Sequence, residues 1–182
     1  MIKLNSKNKG FTLIEILLVV GFIALASVGV YTIYSKVQLS SAANTESRNL
    51  DTIRAGVKQL YGASSAYDTL TNTVVNAGRL TPENMKTAGD NTKITNSFGG
   101  SVVLAPANLG GGTNNGFTIT YNNVPGAVCS RLVMTGGSQF DRVLIGGSVA
   151  KEFGENRVKE DVATIACDGA PNNGITVVFS SI

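Results

Sequence analysis

The first distinct pattern in the chain is an uninterrupted apolar stretch near its beginning. Residues 16–35 read ILLVVGFIALASVGVYTIYS, twenty positions without a charged side chain. A helix of about 20 apolar residues is long enough to cross the hydrocarbon core of a bilayer. Lys3, Lys7 and Lys9 precede the stretch and are expected to stay in the cytoplasm, which places the rest of the chain across the inner membrane. The pattern predicts a membrane helix followed by an exported domain.

Beyond this stretch the apolar residues recur on one side of a helix instead of all round it. They are spaced by three and four positions: Leu50, Ile53, Val57, Leu60 and Tyr61. Gly62 is a reasonable stop signal. One helix is therefore predicted from Phe11 to Tyr61, and the alternative is a pair of helices joined near Ser40 and Ser41. Charged residues of this helix are expected on its other faces: Glu46, Arg48, Asp51, Arg54 and Lys58.

The rest of the chain is predicted to be a small α+β domain. Residues 63–99 are rich in Ser, Thr, Asn and Gly and are expected to form a connecting loop, with a short helix that uses Thr81 as N-cap and Pro82 as first residue. Runs rich in β-branched and aromatic residues, separated by a glycine-rich turn, predict a hairpin of Gly100–Leu104 with Phe117–Tyr121. Further elements are predicted at Pro125–Met134 (helix), Phe140–Ile145 (strand), Arg157–Cys167 (helix) and Gly174–Ser180 (strand).

Composition and charge argue against catalysis and against nucleic-acid binding. The chain has no histidine, which removes the commonest general base and most zinc sites. Its net charge of +3 comes from the three lysines before residue 10, and twelve basic and twelve acidic residues remain beyond them. Neither a cofactor nor a direct contact with nucleic acid is expected. Glu152, Glu155, Glu160 and Asp161 could bind calcium, although a solvated face is the more common role for such residues.

A short motif joins the basic segment to the apolar stretch. It reads Lys9-Gly10-Phe11-Thr12-Leu13-Ile14-Glu15, and Glu15 is the only charged residue between Gly10 and Ser35. A carboxylate in a membrane helix costs up to roughly 3 kcal/mol at the bilayer centre, so it should have a partner. If the chain were cut between Gly10 and Phe11, the new α-ammonium would lie one helical turn from Glu15. Neighbouring chains could then exchange this ion pair, or Glu15 could simply be a charge tolerated at the interface.

These residues, followed by an apolar helix, resemble the processing motif of type IV prepilins. The resemblance implies that a prepilin peptidase cuts after Gly10, that Phe11 becomes the N-methylated first residue, and that Glu15 forms an assembly salt bridge with a neighbouring subunit. It also implies a helical homo-polymer. The remaining implied partners are an assembly platform with its ATPase and an outer-membrane secretin.

Cys129 and Cys167 are 38 positions apart, and the predicted topology places them in an oxidising compartment, where a disulfide is expected. The order of elements around them, together with the tail from Cys167 to Phe179, is similar to type IVb pilins, the toxin-coregulated and plasmid-conjugation group. The fold expected is a long N-terminal helix packed on a small antiparallel sheet, with a disulfide-bounded C-terminal region.

The expected function is that of a structural subunit, not an enzyme. Such a subunit is a membrane precursor before assembly and part of an extracellular pilus afterwards. The alternatives are a pseudopilin of a type II secretion system and a membrane-anchored periplasmic binding protein. The expected domains are a leader (1–10), a transmembrane and polymerisation helix (11–35) and a globular head (36–182). The head divides into an amphipathic half-helix (36–62), the connecting loop (63–99) and the sheet and disulfide region (100–182).

Overall fold

The long N-terminal helix is the first element of the structure. The computed structural model describes residues 10–64, 66–171 and 173–182, and for residues 32–36 the backbone alone; the predicted leader, apart from Gly10, lies outside the described residues. Helix α1 spans Leu13–Leu60 without interruption. The interpretation as one helix is therefore confirmed. Leu39–Ile182 form one compact unit, and the described residues up to Gln38 form another.

The unit Leu39–Ile182 is built on an antiparallel sheet. Within the described residues the sheet has seven strands in the order β1-β2-β3-β4-β7-β5-β6. The strands are β1 Lys86–Thr87, β2 Asp90–Thr95, β3 Ser101–Ala107, β4 Gly116–Val124, β5 Arg142–Ile145, β6 Ser148–Lys151 and β7 Ile175–Ser181. The helices are α2 Asn72–Ala77, α3 Gly126–Gly136 and α4 Glu160–Asp168, with 3₁₀ turns at Glu83–Met85 and Gly137–Gln139. The last strand, β7, pairs with β4 on one side and β5 on the other.

The core lies between one face of the sheet and the C-terminal part of α1. Alternate residues of β4 point inward because side chains alternate along a strand, and Phe117, Ile119 and Tyr121 are fully buried. From α1, the buried apolar residues are Leu50, Ile53 and Val57. The spacing that predicted an amphipathic helix therefore identified its buried face, although Leu60, which completes the series, is half exposed.

The segment 63–99 contains more regular structure than a connecting loop. It includes α2, a 3₁₀ turn, β1 and β2. The N-cap prediction for Thr81 is wrong, because the 3₁₀ turn begins after Pro82 without a side-chain cap. The Thr81 hydroxyl donates instead to Asn76 Oδ1, at 2.5 Å. Short polar strands such as β2, with the sequence DNTKIT, lack the apolar alternation from which strands are predicted.

The turn Asn96–Gly100 joins β2 to β3 and is fixed by the side chain of Asn96. Asn96 Oδ1 accepts hydrogen bonds from the backbone N–H groups of Phe98 and Gly100, and its Nδ2 donates to the carbonyl of Asn122 at 2.8 Å. A Cβ atom on Gly100 would lie 1.8 Å from that Asn122 carbonyl oxygen. The close approach of two backbones therefore requires glycine at this position.

Candidate assembly segment and disulfide region

The predicted processing residues lie at the start of α1. Gly10 and Phe11 precede the helix, and the Phe11 side chain is 79% exposed. Thr12, the residue before the helix, is its N-cap. The Thr12 carbonyl accepts a hydrogen bond from Ile16 N at 3.3 Å, and its hydroxyl accepts one from Glu15 N at 3.4 Å. The structure thus places Phe11 just outside the first turn and Glu15 within it.

The part of α1 that follows is apolar and exposed. Leu13–Tyr31 is long and apolar enough to cross a membrane, and none of that stretch is buried within the chain. Phe11, Glu15, Ile16, Val19 and Val20 line one shallow groove along this part of the helix. Among the described residues, the Glu15 carboxylate has neither a hydrogen-bond partner nor an ion-pair partner. An exposed apolar surface of this length requires lipid or other protein chains to cover it.

The two cysteines form a disulfide that links α3 to α4. Cys129 and Cys167 are both buried, and their Cα atoms are 5.5 Å apart. A Cβ atom on Gly126, at the start of α3, would lie 2.6 Å from the carbonyl oxygen of Cys167, so the two helices are in close contact here. In the chain-entropy model, a bridge that closes a loop of this length stabilises the fold by about 4 kcal/mol.

A second glutamate of α1, Glu46, is buried, and the prediction that it lies on an outer face is wrong. Its side chain has no exposed surface. Glu46 Oε1 accepts from the backbone N of Ser97 at 2.8 Å and from the Ser97 hydroxyl, and Oε2 accepts from the Tyr121 hydroxyl at 3.1 Å. Burial and the adjacent Glu46 carboxylate raise the pKa of Tyr121 well above its usual range.

The sequence contained a signal for this burial. Glu46 lies four positions before Leu50, which in turn precedes Ile53 and Val57 at steps of three and four, so it continues the apolar stripe. A charged residue in such a stripe is either exposed by fraying of the helix or held by polar partners from elsewhere in the fold. Here Ser97 and Tyr121, which are far away in sequence, are those partners.

Two of the four acidic residues considered for calcium, Glu152 and Glu155, form ion pairs with bases. Glu155 Oε1 is 2.8 Å from Lys159 Nζ, and Glu152 Oε1 is 3.1 Å from Arg142 Nε. The contact with Lys159 lowers the pKa of Glu155. No group of three or more Asp, Glu, Cys or His side chains that could hold a metal ion occurs within the described residues.

Comparison with known protein families distinguishes a pilin from the alternatives, a pseudopilin and a membrane-anchored binding protein. A family model described as PilS N terminal matches residues 40–182, which is most of the chain. The chain belongs to this pilin family. The match begins within α1 and includes every strand of the sheet as well as both cysteines.

Two relatives of this pilin are named as a pilus subunit and as a pilin. The major structural subunit of bundle-forming pilus from Escherichia coli O111:H- is 28% identical over 162 residues, which are 88% of this chain and 78% of that protein. The toxin coregulated pilin of Vibrio cholerae is 24% identical over 154 residues, 79% of this chain and 65% of that protein.

Solved structures agree with the sequence relatives. A type IV b pilin from Salmonella typhi is 28% identical with a TM-score of 0.58, covering 75% of this chain and 97% of that one. TcpA, a type IV pilin from the Vibrio cholerae El Tor biotype, shares the fold, with a TM-score of 0.57 at 18% identity over 80% of this chain and 99% of its own. The chain is thus a type IVb-like pilin, and pilins are structural subunits, not enzymes.

Proposed function

We propose that this pilin is the structural subunit of an extracellular type IV pilus, made as an inner-membrane precursor and polymerised after cleavage between Gly10 and Phe11. The observation that carries the proposal is the exposed apolar part of α1 with a carboxylate in its first turn. The relatives named as pilus subunits support it as well. In a filament, neighbouring copies would cover the apolar residues that the isolated chain leaves exposed.

Glu15 is the group that would set the position of one subunit against the next. Its carboxylate is exposed and lies one helical turn from Phe11, which cleavage would convert into an α-ammonium. The two charges of one chain are close in sequence, but the ammonium of a neighbouring chain can approach the same carboxylate between packed helices. An ion pair in such an apolar environment is stronger than one in water, because the local dielectric is low.

Before assembly, the same helix would hold the precursor in the inner membrane. Lys3, Lys7 and Lys9 would keep the leader on the cytoplasmic side, where a prepilin peptidase cuts after Gly10 and Phe11 is N-methylated. Extraction of a helix of this length from lipid requires work. The assembly platform and its ATPase would supply that work, and an outer-membrane secretin would let the fibre leave the cell.

The test replaces Glu15 by Ala and by Gln in cells that lack the native gene. We expect both variants to be cleaved and to accumulate in the membrane, while the amount of pilin in sheared surface fibres falls at least about tenfold, because the ammonium of the neighbouring chain would be left without its partner in an apolar environment. Glu83→Ala is the matched control, because Glu83 is an exposed acid whose side chain is 88% accessible. Normal fibres from Glu15→Ala would contradict the role of Glu15.

Mass spectrometry of the fibre protein tests the processing step separately. The expected mature chain begins with N-methylated Phe11. A different first residue would overturn the cleavage site. Absence of the chain from sheared fibres of the wild-type strain would overturn the pilus assignment and favour a pseudopilin.

A further inference from the structure

The sequence contains two Asn-Gly pairs, Asn115–Gly116 and Asn173–Gly174. An asparagine followed by glycine is the sequence most prone to deamidation, because glycine has no side chain to obstruct attack by its own backbone nitrogen. That nitrogen attacks the side-chain Cγ of the asparagine, and the asparagine side chain must be free to rotate toward it. The two pairs differ in their burial and in the hydrogen bonds that restrain them.

Asn115 is held on both ends of its side chain. Its Oδ1 accepts from Leu109 N at 2.8 Å, and its Nδ2 donates to Leu109 O at 2.7 Å. Gly116 is the first residue of β4, is buried, and lies opposite Ala107 of β3. Attack on Asn115 would therefore require two side-chain hydrogen bonds to break and the paired ends of β3 and β4 to separate.

Asn173 lies in an exposed turn before β7. Its side chain is exposed and has no hydrogen-bond partner among the described residues. The attacking nitrogen, Gly174 N, donates to Pro171 O at 2.8 Å within this turn. Gly174 is partly buried against the backbone of Asn123, so the turn bond must open and the glycine must shift before attack. Hydrogen bonds in exposed loops open at a much lower free energy than those in packed strands. Gly174 has φ of +87°, so the turn also depends on glycine at the attacking position.

We infer that Asn173 is a site of spontaneous deamidation in the folded pilin and that Asn115 is protected. The backbone nitrogen of Gly174 forms a bond to Asn173 Cγ, and the side-chain nitrogen leaves as ammonia, giving a five-membered succinimide. Water then opens this ring at either carbonyl and leaves aspartate or isoaspartate. The net change is the exchange of an amide and one water for a carboxylate and one ammonium ion.

The reaction changes the charge of the subunit. After removal of the leader, which belongs to the proposed function, twelve basic and twelve acidic side chains remain, and each event at Asn173 adds a negative charge to a neutral chain. Protein surfaces with net charge near zero associate more readily than charged ones. Old filaments would therefore associate laterally less than new ones. The chemistry at Asn173 does not depend on the cleavage.

The experiment incubates freshly purified full-length chain in detergent micelles at pH 7.4 and 37 °C for several weeks. The disulfide between Cys129 and Cys167, which would otherwise join them, is then reduced and alkylated, and tryptic peptides 94–131 and 160–182 are separated. These peptides contain Asn115 and Asn173 respectively, and tandem mass spectrometry measures in each the gain of about 1 Da that converts an amide into an acid. We expect Asn173 to convert at least about tenfold faster than Asn115, which corresponds to a modest difference in local opening free energy.

Two controls make the result decisive. In the reduced chain in denaturant, both sites should convert at similar rates, and Asn173→Gln should remove the mass gain from peptide 160–182 in the folded chain. Equal rates in the folded protein would overturn the inference. A tenfold preference that persists in denaturant would also overturn it, because the fold would then not be its cause. Neither outcome depends on how Glu15 variants assemble.

Discussion

Two glutamates on the same helix, Glu15 and Glu46, show how differently the two compact units of this pilin use one residue type. Glu15 is exposed, and none of the described residues pairs with it. Glu46 has no exposed surface, and its carboxylate accepts hydrogen bonds from Ser97 and Tyr121. The neighbours differ in the same way, since Leu17 and Leu18 are exposed whereas Leu50 and Ile53 are buried.

The difference shows which chain supplies the partners of each carboxylate. The donors for Glu46 are supplied by β4 and by the turn after β2, so folding of one chain satisfies it. The proposed partner of Glu15 is an ammonium group on another chain, so a monomer leaves it free. Replacing Glu46 should therefore affect folding, whereas replacing Glu15 should affect assembly.

The strongest test of this comparison is Glu46→Ala. The substitution leaves the buried Tyr121 hydroxyl without its carboxylate acceptor and removes both hydrogen bonds to the exposed Ser97. We expect it to lower the free energy of unfolding by about 4 kcal/mol. Urea unfolding of the full-length chain in micelles, followed by near-ultraviolet circular dichroism, measures the loss. Glu46→Gln, which retains an acceptor oxygen, should lose less.

Glu15→Ala is the matched control in the same unfolding experiment. Its stability should stay within about 0.5 kcal/mol of the wild type, as for other exposed substitutions. A large loss in Glu15→Ala, or none in Glu46→Ala, would break the distinction between the two glutamates.

A smaller effect is expected from glycine substitutions in the two units. Gly100→Ala places a Cβ atom against the Asn122 carbonyl oxygen and Asn96 Nδ2, and we expect a loss of about 3 kcal/mol through forced backbone displacement. In Gly21→Ala the new Cβ atom meets nothing within 4 Å. That variant should gain helix stability of about 1 kcal/mol.

Hydrogen exchange followed by mass spectrometry separates these two outcomes, because it reports each segment by itself. Peptides from β3 and β4 should lose protection in Gly100→Ala, and peptides covering residues 11–31 should gain protection in Gly21→Ala. Unchanged exchange in β3 and β4 would contradict the close backbone contact.

A loss smaller than that of Gly100→Ala is expected from Tyr121→Phe, about 1 to 2 kcal/mol at neutral pH, because a hydrogen bond to a buried carboxylate is removed. The pH dependence of the free energy of unfolding is a more specific test of the contact between Tyr121 and Glu46. Burial and Glu46 raise the pKa of Tyr121 in the folded chain above its ordinary value of 10.0. The folded chain therefore keeps this proton above about pH 10, where the unfolded chain releases it.

The stabilisation linked to this proton is present below pH 10 and is lost as the pH rises further. The free energy of unfolding of the wild type should then fall more steeply than that of Tyr121→Phe, by up to about 1.4 kcal/mol per pH unit. Urea titrations between pH 9 and pH 11 measure both slopes. Parallel slopes would show that Tyr121 titrates normally and is not in contact with a buried charge.

Much of the fold could be predicted from local patterns. The apolar stretch and the spacing of Leu50, Ile53 and Val57 predicted a single long helix, and α1 confirms it. The hairpin of β3 with β4, helix α3, helix α4 and strand β7 lie close to their predicted positions, because their apolar periodicity reflects burial against the same core. Strands β1, β2 and β6 were missed, because such short strands are stabilised by pairing with neighbours more than by their own sequence.

The sequence by itself determined the long helix, its division into an all-round apolar part and a one-sided part, the position of Glu15 in the first helical turn, and the pair of cysteines. These features depend on residues close together in the chain or on the chemistry of a residue type. Tertiary structure alone decided that Ser97 and Tyr121 bind the Glu46 carboxylate, and that the last strand, β7, pairs with both β4 and β5. Each of these depends on groups far apart in sequence, whose distance is set by how the sheet and helices pack.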